Sequence, residues 1–184
     1  MGATYWNTGD EKYVKEFAKQ FLDWYHKNPL DKEHGYAWRS IEAGIRGHSW
    51  MELFQRFVDS PAFTPELLAA FLNSCCDHAE FLMTKYLTGS NWGLMEAEGM
   101  AFIAVMFPQF KDALTWRDAA FRRLVAETKG QVYPDGHPKE FTIGYHTGCI
   151  HWLFRTYELA KVTGLISHFF GLYLVTIQKM YEVP

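Results

Sequence analysis

The chain has 184 residues, 48% of them apolar and 17% aromatic, with a formal net charge of −3. That length supports one sizeable core, burying roughly two thirds of the surface exposed by the unfolded chain. The slight acidity leaves no basic footprint for nucleic acid or an anionic membrane, and the longest apolar run, Met100 to Phe107, is too short to span a bilayer.

Helical periodicity dominates from the start. Val14, Phe17, Phe21 and Tyr25 share one face of a helix predicted over 10–27, which Asn28-Pro29 stops. A second helix is predicted over 38–59, where Gly44 and Gly47 imply close approach by a neighbour or a ligand. Thr64-Pro65-Glu66 reads as an N-cap, a proline in the first turn and an acid. The helix it starts carries Leu68, Phe71, Leu72, Cys75, Ala79, Leu82 and Tyr86, with Gly89 as its close.

A fourth helix begins after Asn91, is apolar on every side from Met100 to Phe107, and ends at Pro108, so it is expected inside other helices. A fifth is predicted over 114–128 with Gly130 as its stop, then a loop over 131–139, a sixth over 142–162 and a seventh over 167–182. No alternating pattern competes with these helices. Consecutive helices on short loops imply antiparallel hairpins stacked as a bundle, a solenoid or a ring: an all-α fold. No repeat or linker divides the chain, so one helical domain over 1–184 is expected.

The three cysteines make no disulfide framework, since neighbours such as Cys75 and Cys76 point about 100° apart on a helix. All three read as small core residues. His146, Cys149 and His151 match no zinc spacing, and neither metal nor cofactor is expected. No secretory leader pattern opens the sequence. The chain is therefore expected to be cytoplasmic or to lack a leader and other segments.

Four stretches carry more than periodicity: YWNTGDEKYVKEFAKQFLDWYHKNP at 5–29, WRSIEAGIRGHSW at 38–50, SNWGLMEAEGMAFIAVMFPQF at 90–110 and QVYPDGHPKEFTIGYH at 131–146. In this order they resemble the heparinase II/III polysaccharide lyases. The resemblance implies an incomplete α/α toroid whose cleft binds an acidic glycan, followed by a β-sandwich that nothing here resembles. It therefore implies a fragment of a larger periplasmic or secreted lyase whose partners are an acidic polysaccharide and its own missing C-terminal domain.

The family's catalytic asparagine falls on Asn91 and its catalytic tyrosine on Tyr145, 54 residues later. Trp92 places the chain nearer the heparinase III-like branch than the alginate lyases. Thr142 stands where serine is usual and Gln109 where glutamate is usual. A further family histidine lies beyond Pro184, and neither His146 nor His151 is its replacement.

Such a lyase removes the C5 proton of a uronate and expels the C4 oxygen. Donors aimed at the carboxylate stabilise the enolate-like transition state, and Asn91 at a helix start has both an amide and oriented backbone N–H groups to offer. A tyrosine, whose proton ordinarily leaves near about pH 10, needs a cation beside it to serve as base. Arg39, Arg46 and His146 are the candidates. Arg39 and Arg46 lie two helical turns apart, on a face suited to an anionic cleft or to pairing with acids. Trp92 and Trp38 are the candidate sugar platforms, and the other tryptophans default to the core.

From residue type alone, Ser90-Asn91 is simply an N-cap, Tyr145 a half-buried helical residue, Pro134-Asp135-Gly136 a turn, and Glu96 and Glu98 first-turn acids complementing the dipole. Two rival functions stand beside the lyase. A glycoside hydrolase would need two carboxylates across a cleft, drawn from Glu96, Glu98, Asp135 and Glu140. A non-catalytic carbohydrate-binding module would be indifferent to Tyr145.

Overall fold

In a computed structural model, residues 1–31, 34–140, 142–169 and 171–183 are described. Phe141 in the fourth stretch, Phe170 in the last predicted helix and Pro184 lie outside them. The helices sort into two layers, with α5 (Asn91–Met106) at the centre of one of them. Hydroxyl caps start three of them. Thr64 Oγ1 accepts from Leu67 N before α4 (Pro65–Thr84), Ser90 Oγ from Trp92 N before α5, and Thr142 Oγ1 from Tyr145 N before α7 (Ile143–Val162). Threonine at 142 thus supplies the cap that serine would.

α3 (Ser40–Phe57), α5 and α7 form one layer. Gly44 lies against Met95 and Gly47 against Gly99, so α3 and α5 run parallel, backbone on backbone. α7 runs parallel to α5 as well: Arg155 reaches Glu98 two turns along from the Asn91 end, which Glu140 meets. The second layer holds α2 (Lys12–Lys27), α4, α6 (Ala113–Gln131) and α8 (Leu172–Glu182). Its members run against the first layer. Phe54 stacks on Phe71 while Arg46 meets His78, and His146 meets Met180 while Tyr173 meets Leu153. These pairs are antiparallel hairpins. Among the described residues there is no strand, only an isolated bridge between Val132 and Pro138, and no helix is long and apolar enough to cross a membrane.

The core follows the predicted faces. Val14, Phe17 and Phe21 of α2 are buried, as are Phe71, Cys75, Ala79 and Leu82 of α4; Leu68 and Leu72 are half-buried and Leu67, outside the predicted face, is buried. Cys149 is also buried and Cys76 half-buried, all three cysteines being free thiols. Several boundaries differ from expectation. α4 ends at Thr84, short of Tyr86 and of the expected close at Gly89. A short α1 (Gly2–Thr8) precedes α2 and packs on α3, with Gly2 against Leu53 and Arg56. Gly130 does not stop α6, which continues to Gln131. The last predicted helix is broken at Gly171, whose φ of 35° few other residues adopt, into a 3₁₀ turn (Ile166–His168) and α8. Trp6 also departs from the core expectation, being 73% exposed on α1.

Buried histidines make this fold acid-sensitive. His78 is held neutral, with Nε2 accepting from Arg46 Nε at 2.8 Å and Nδ1–H donating to Ser74 O at 2.7 Å. Burial and Arg46 push its pKa down to about 3, and burial with Arg155 pushes that of His48 to about 4. As pH falls below the ordinary 6.5, the unfolded chain takes up protons that the folded histidines refuse, so stability falls. Glu98 works the other way between about pH 4.5 and 7, because burial raises its pKa to about 7 despite the Arg155 guanidinium. Burial raises Glu96 and Asp77 in the same sense as Glu98. Led by the two histidines, whose pKa values lie furthest below the ordinary one, a net loss of stability is expected between pH 7 and pH 4. Thermal melts check this, and a melting temperature at pH 4 equal to that at pH 7 contradicts it.

Candidate functional site

Parallel packing of α3, α5 and α7 sets their N-termini at one end of the layer. Each start exposes backbone N–H groups and the positive end of a helix dipole. Three such ends, lying together, favour an anion.

The start of α5 is clasped from α6 and the loop that follows it. Glu127 accepts from Tyr86 Oη at 2.6 Å and from Gly89 N at 3.0 Å, and Gln131 Nε2 donates to Ser90 O at 2.6 Å. Burial and Glu127 together hold the Tyr86 phenol well above its ordinary pKa. With Ser90 as the cap, the Asn91 side chain is not needed to start the helix. It is 6% exposed, and its Nδ2 donates to Glu140 Oε2 at 3.1 Å. Beside it, the half-buried Trp92 ring faces Arg39, whose guanidinium carbon lies 5.9 Å from the ring centroid. Arg39 occupies the extended N-cap position of α3 and pairs with Glu42 through Nε, at 3.0 Å, and through Nη2.

Tyr145 stands in the first turn of α7, five residues after Glu140, and is 46% exposed. Among the described residues its hydroxyl has no hydrogen-bond partner. Asn91, Trp92, Arg39 and the turn carrying Tyr145 therefore share one end of the molecule. His146, the next residue, turns away: its Nε2–H donates to Met180 O at 2.8 Å, tying α7 to α8.

Two sequence candidates lie elsewhere. Trp38 is only 5% exposed, its ring packed on Trp24, His78 and Phe81 and its Nε1–H given to Asn28 O. No face is open to a sugar. Arg46 does not share a wall with Arg39. It sits among Trp24, Trp38 and Trp50, 4.4 to 5.8 Å from their ring centroids, and donates to His78 and to Ala37 O. Burial lowers its pKa to about 10, and its Nε and Nη2 are engaged by protein. The helical spacing of seven misled because Arg39 precedes the helix. The acids also depart from their first-turn reading. Glu96 is buried and accepts from Leu87 N at 2.8 Å, while Glu98 is buried against Arg155 at 2.8 and 3.0 Å. Sequence reasoning missed Glu140 as a partner of Asn91. Its position in the fourth stretch, shortly before Tyr145, was the available signal.

Over residues 1–184 the sequence matches the family model described as Heparinase II/III N-terminus. It is 39% identical over 183 residues to the heparin-sulfate lyase of Pedobacter heparinus, covering 98% of this chain and 28% of that protein. It is 35% identical over 199 residues to the heparin-sulfate lyase of Bacteroides stercoris, covering 98% and 30%. The fold matches a crystal structure of heparinase III with a TM-score of 0.87 at 26% identity, over 97% of this chain and 28% of that one. The hairpins are part of an incomplete α/α toroid, the fold class expected from the sequence. The chain spans less than a third of the length of the curated relatives it matches.

Proposed function

The chain belongs to the heparinase II/III family, and on that premise we propose that it is the N-terminal helical part of a polysaccharide lyase that β-eliminates acidic, uronate-containing glycans of the heparin or heparan sulfate kind. The observation that carries this is the gathering of Asn91, Trp92, Arg39 and the first turn of α7 at the N-terminal end of three parallel helices. Asn91 donates its free amide N–H to the uronate carboxylate, where negative charge grows as C5 loses its proton. Tyr145, exposed and with its hydroxyl unengaged, moves a proton at C5 or at the departing C4 oxygen. Arg39 steers the anionic chain, and Trp92 lies under a sugar ring. Trp38 and Arg46 are left out of this assignment because other rings enclose them, and His146 because it is tied to α8, whereas Arg39 stays exposed beside its Glu42 partner. The rest of the site comes from a C-terminal domain of the same protein, acting in the periplasm or outside the cell.

The hydrolase reading gains no support from the four acids named for it. Glu96 is bonded to Leu87 N, Glu98 to Arg155, Glu140 to Asn91, and Asp135 accepts from His137 N in its turn.

Incubating the full-length protein with heparan sulfate, heparin and alginate tests the proposal. A lyase leaves an unsaturated uronate that absorbs in the ultraviolet. New reducing ends without absorbance indicate a hydrolase, and binding without cleavage a binding module; either result ends the lyase assignment. The 1–184 chain alone is expected to be slower by about a hundredfold or more, since losing even one transition-state group typically costs that much and an incomplete cleft holds substrate loosely.

A further inference from the structure

We propose that Glu140 is a positioning residue that sets which edge of the Asn91 amide faces the substrate; this rests on the reading of Asn91 given above. An asparagine amide is nearly symmetric in shape but not in polarity, so packing alone does not decide whether Nδ2 or Oδ1 points toward a ligand. A carboxylate accepts hydrogen bonds and donates none. Glu140 Oε2, 3.1 Å from Asn91 Nδ2, therefore accepts only the N–H₂ edge. The flipped amide would set oxygen against oxygen in a site where Asn91 is nearly buried. One Nδ2 hydrogen is then held by Glu140 and the second is left for a uronate carboxylate.

The acceptor is itself held in place. Lys139 N donates to Gln131 O at 2.8 Å, and Val132 bridges Pro138, so the loop over 131–139 is strapped to its own base. Gln131 at that base donates to Ser90 O at 2.6 Å, one residue before Asn91. The segment over 131–140 thus grips the start of α5 twice, by the Ser90 carbonyl and by the Asn91 amide. Among the described residues no cation pairs with the Glu140 carboxylate; Asn91 is the side chain that hydrogen-bonds to it. Ser90 has already taken the cap, so the Asn91–Glu140 bond has no role in starting the helix.

The test uses the full-length protein, with heparan sulfate as the probe and ultraviolet absorbance as the readout. The variants are Glu140→Ala, Glu140→Gln, Asn91→Ala and the double Asn91→Ala/Glu140→Ala. Glu140→Ala is expected to lower kcat by about tenfold or more with KM changed by less than about threefold, as for loss of an interaction made in the transition state. Glu140→Gln keeps the shape but can donate as well as accept, so it no longer excludes the flipped amide; its kcat should fall below the parent's, short of the loss in Glu140→Ala. The double variant should be no slower than Asn91→Ala, because a residue that acts through Asn91 has nothing left to act on. The proposal is overturned if the glutamine variant keeps the parent's kcat, since shape and not polarity would then set the amide, or if the two losses multiply. A Glu140→Ala variant with lower KM and unchanged kcat overturns it too, since the carboxylate would then be competing with substrate. A fully active Asn91→Ala sinks the reading of Asn91 itself, a result separable from failure at Glu140.

Discussion

Replacing Gly99 with valine is expected to leave no folded domain. A Cβ at Gly99 would run into the Gly44 backbone, carbonyl oxygen first, with the Gly44 Cα 2.8 Å away. The converse holds along the seam. A Cβ on Gly44 would stand 2.5 Å from Met95 O, and one on Gly47 2.8 Å from Gly99 O. Backbone has no rotamer by which to yield, so the helices must part. α5 is the helix on which both layers pack, and its residues from Gly93 to Ala101 are buried on every side. Overpacking a core typically costs about 1–3 kcal/mol, more when nothing can shift, against a total stability of about 5–15 kcal/mol for a domain. Alanine at 99 should therefore lower the melting temperature sharply, and valine should abolish soluble folded protein. Gly130→Ala is the control: no atom lies within 4 Å of its added Cβ, and a helical glycine-to-alanine change there should be neutral or stabilising by up to about 1 kcal/mol. A Gly99→Ala protein that melts with the parent would falsify the seam.

How far the sequence could be read depended on whether a feature was local. Hydroxyl caps at Thr64, Ser90 and Thr142, and the apolar spacing behind them, depend on a few neighbouring residues, and the helices they begin are present. Gly44 and Gly47 announced a close approach; the neighbour is α5. Arg46, Trp38, Glu96 and Glu98 were misread for a shared reason: each is a polar or amphipathic side chain whose partner comes from outside its own element. His78 on α4 accepts from Arg46, and Arg155 on α7 pairs with Glu98, 32 and 57 residues away. Periodicity gives the face on which such a residue lies, not what faces it. The exposure of Trp6 had the same origin, since the neighbours of α1 are set by tertiary packing. At the candidate site, the positions of Asn91 and Tyr145 came from the order of the four stretches. The bond that links Asn91 to Glu140 could come only from coordinates.

Tyr145→Phe in the full-length protein should abolish most eliminative cleavage while leaving the fold intact. The two side chains differ by one hydroxyl, and that hydroxyl has no hydrogen-bond partner among the described residues. Removing it costs no internal bond, and the ring at 46% exposure leaves no buried cavity. The α7 cap is likewise untouched, because Thr142 is bonded to the Tyr145 backbone and not to its ring. Thermal melts of parent and variant should therefore superimpose. Proton transfer by a positioned side chain typically contributes about 10²- to 10⁴-fold in rate, so kcat should fall in that range with KM little changed. That split distinguishes a proton-moving group from one that merely holds the sugar, for which KM would rise and kcat would stand. Absorbance of the unsaturated product from heparan sulfate gives both constants. A Tyr145→Phe protein with parental kcat removes Tyr145 from the chemistry, and the proton at C5 must then be taken by a group outside the first turn of α7.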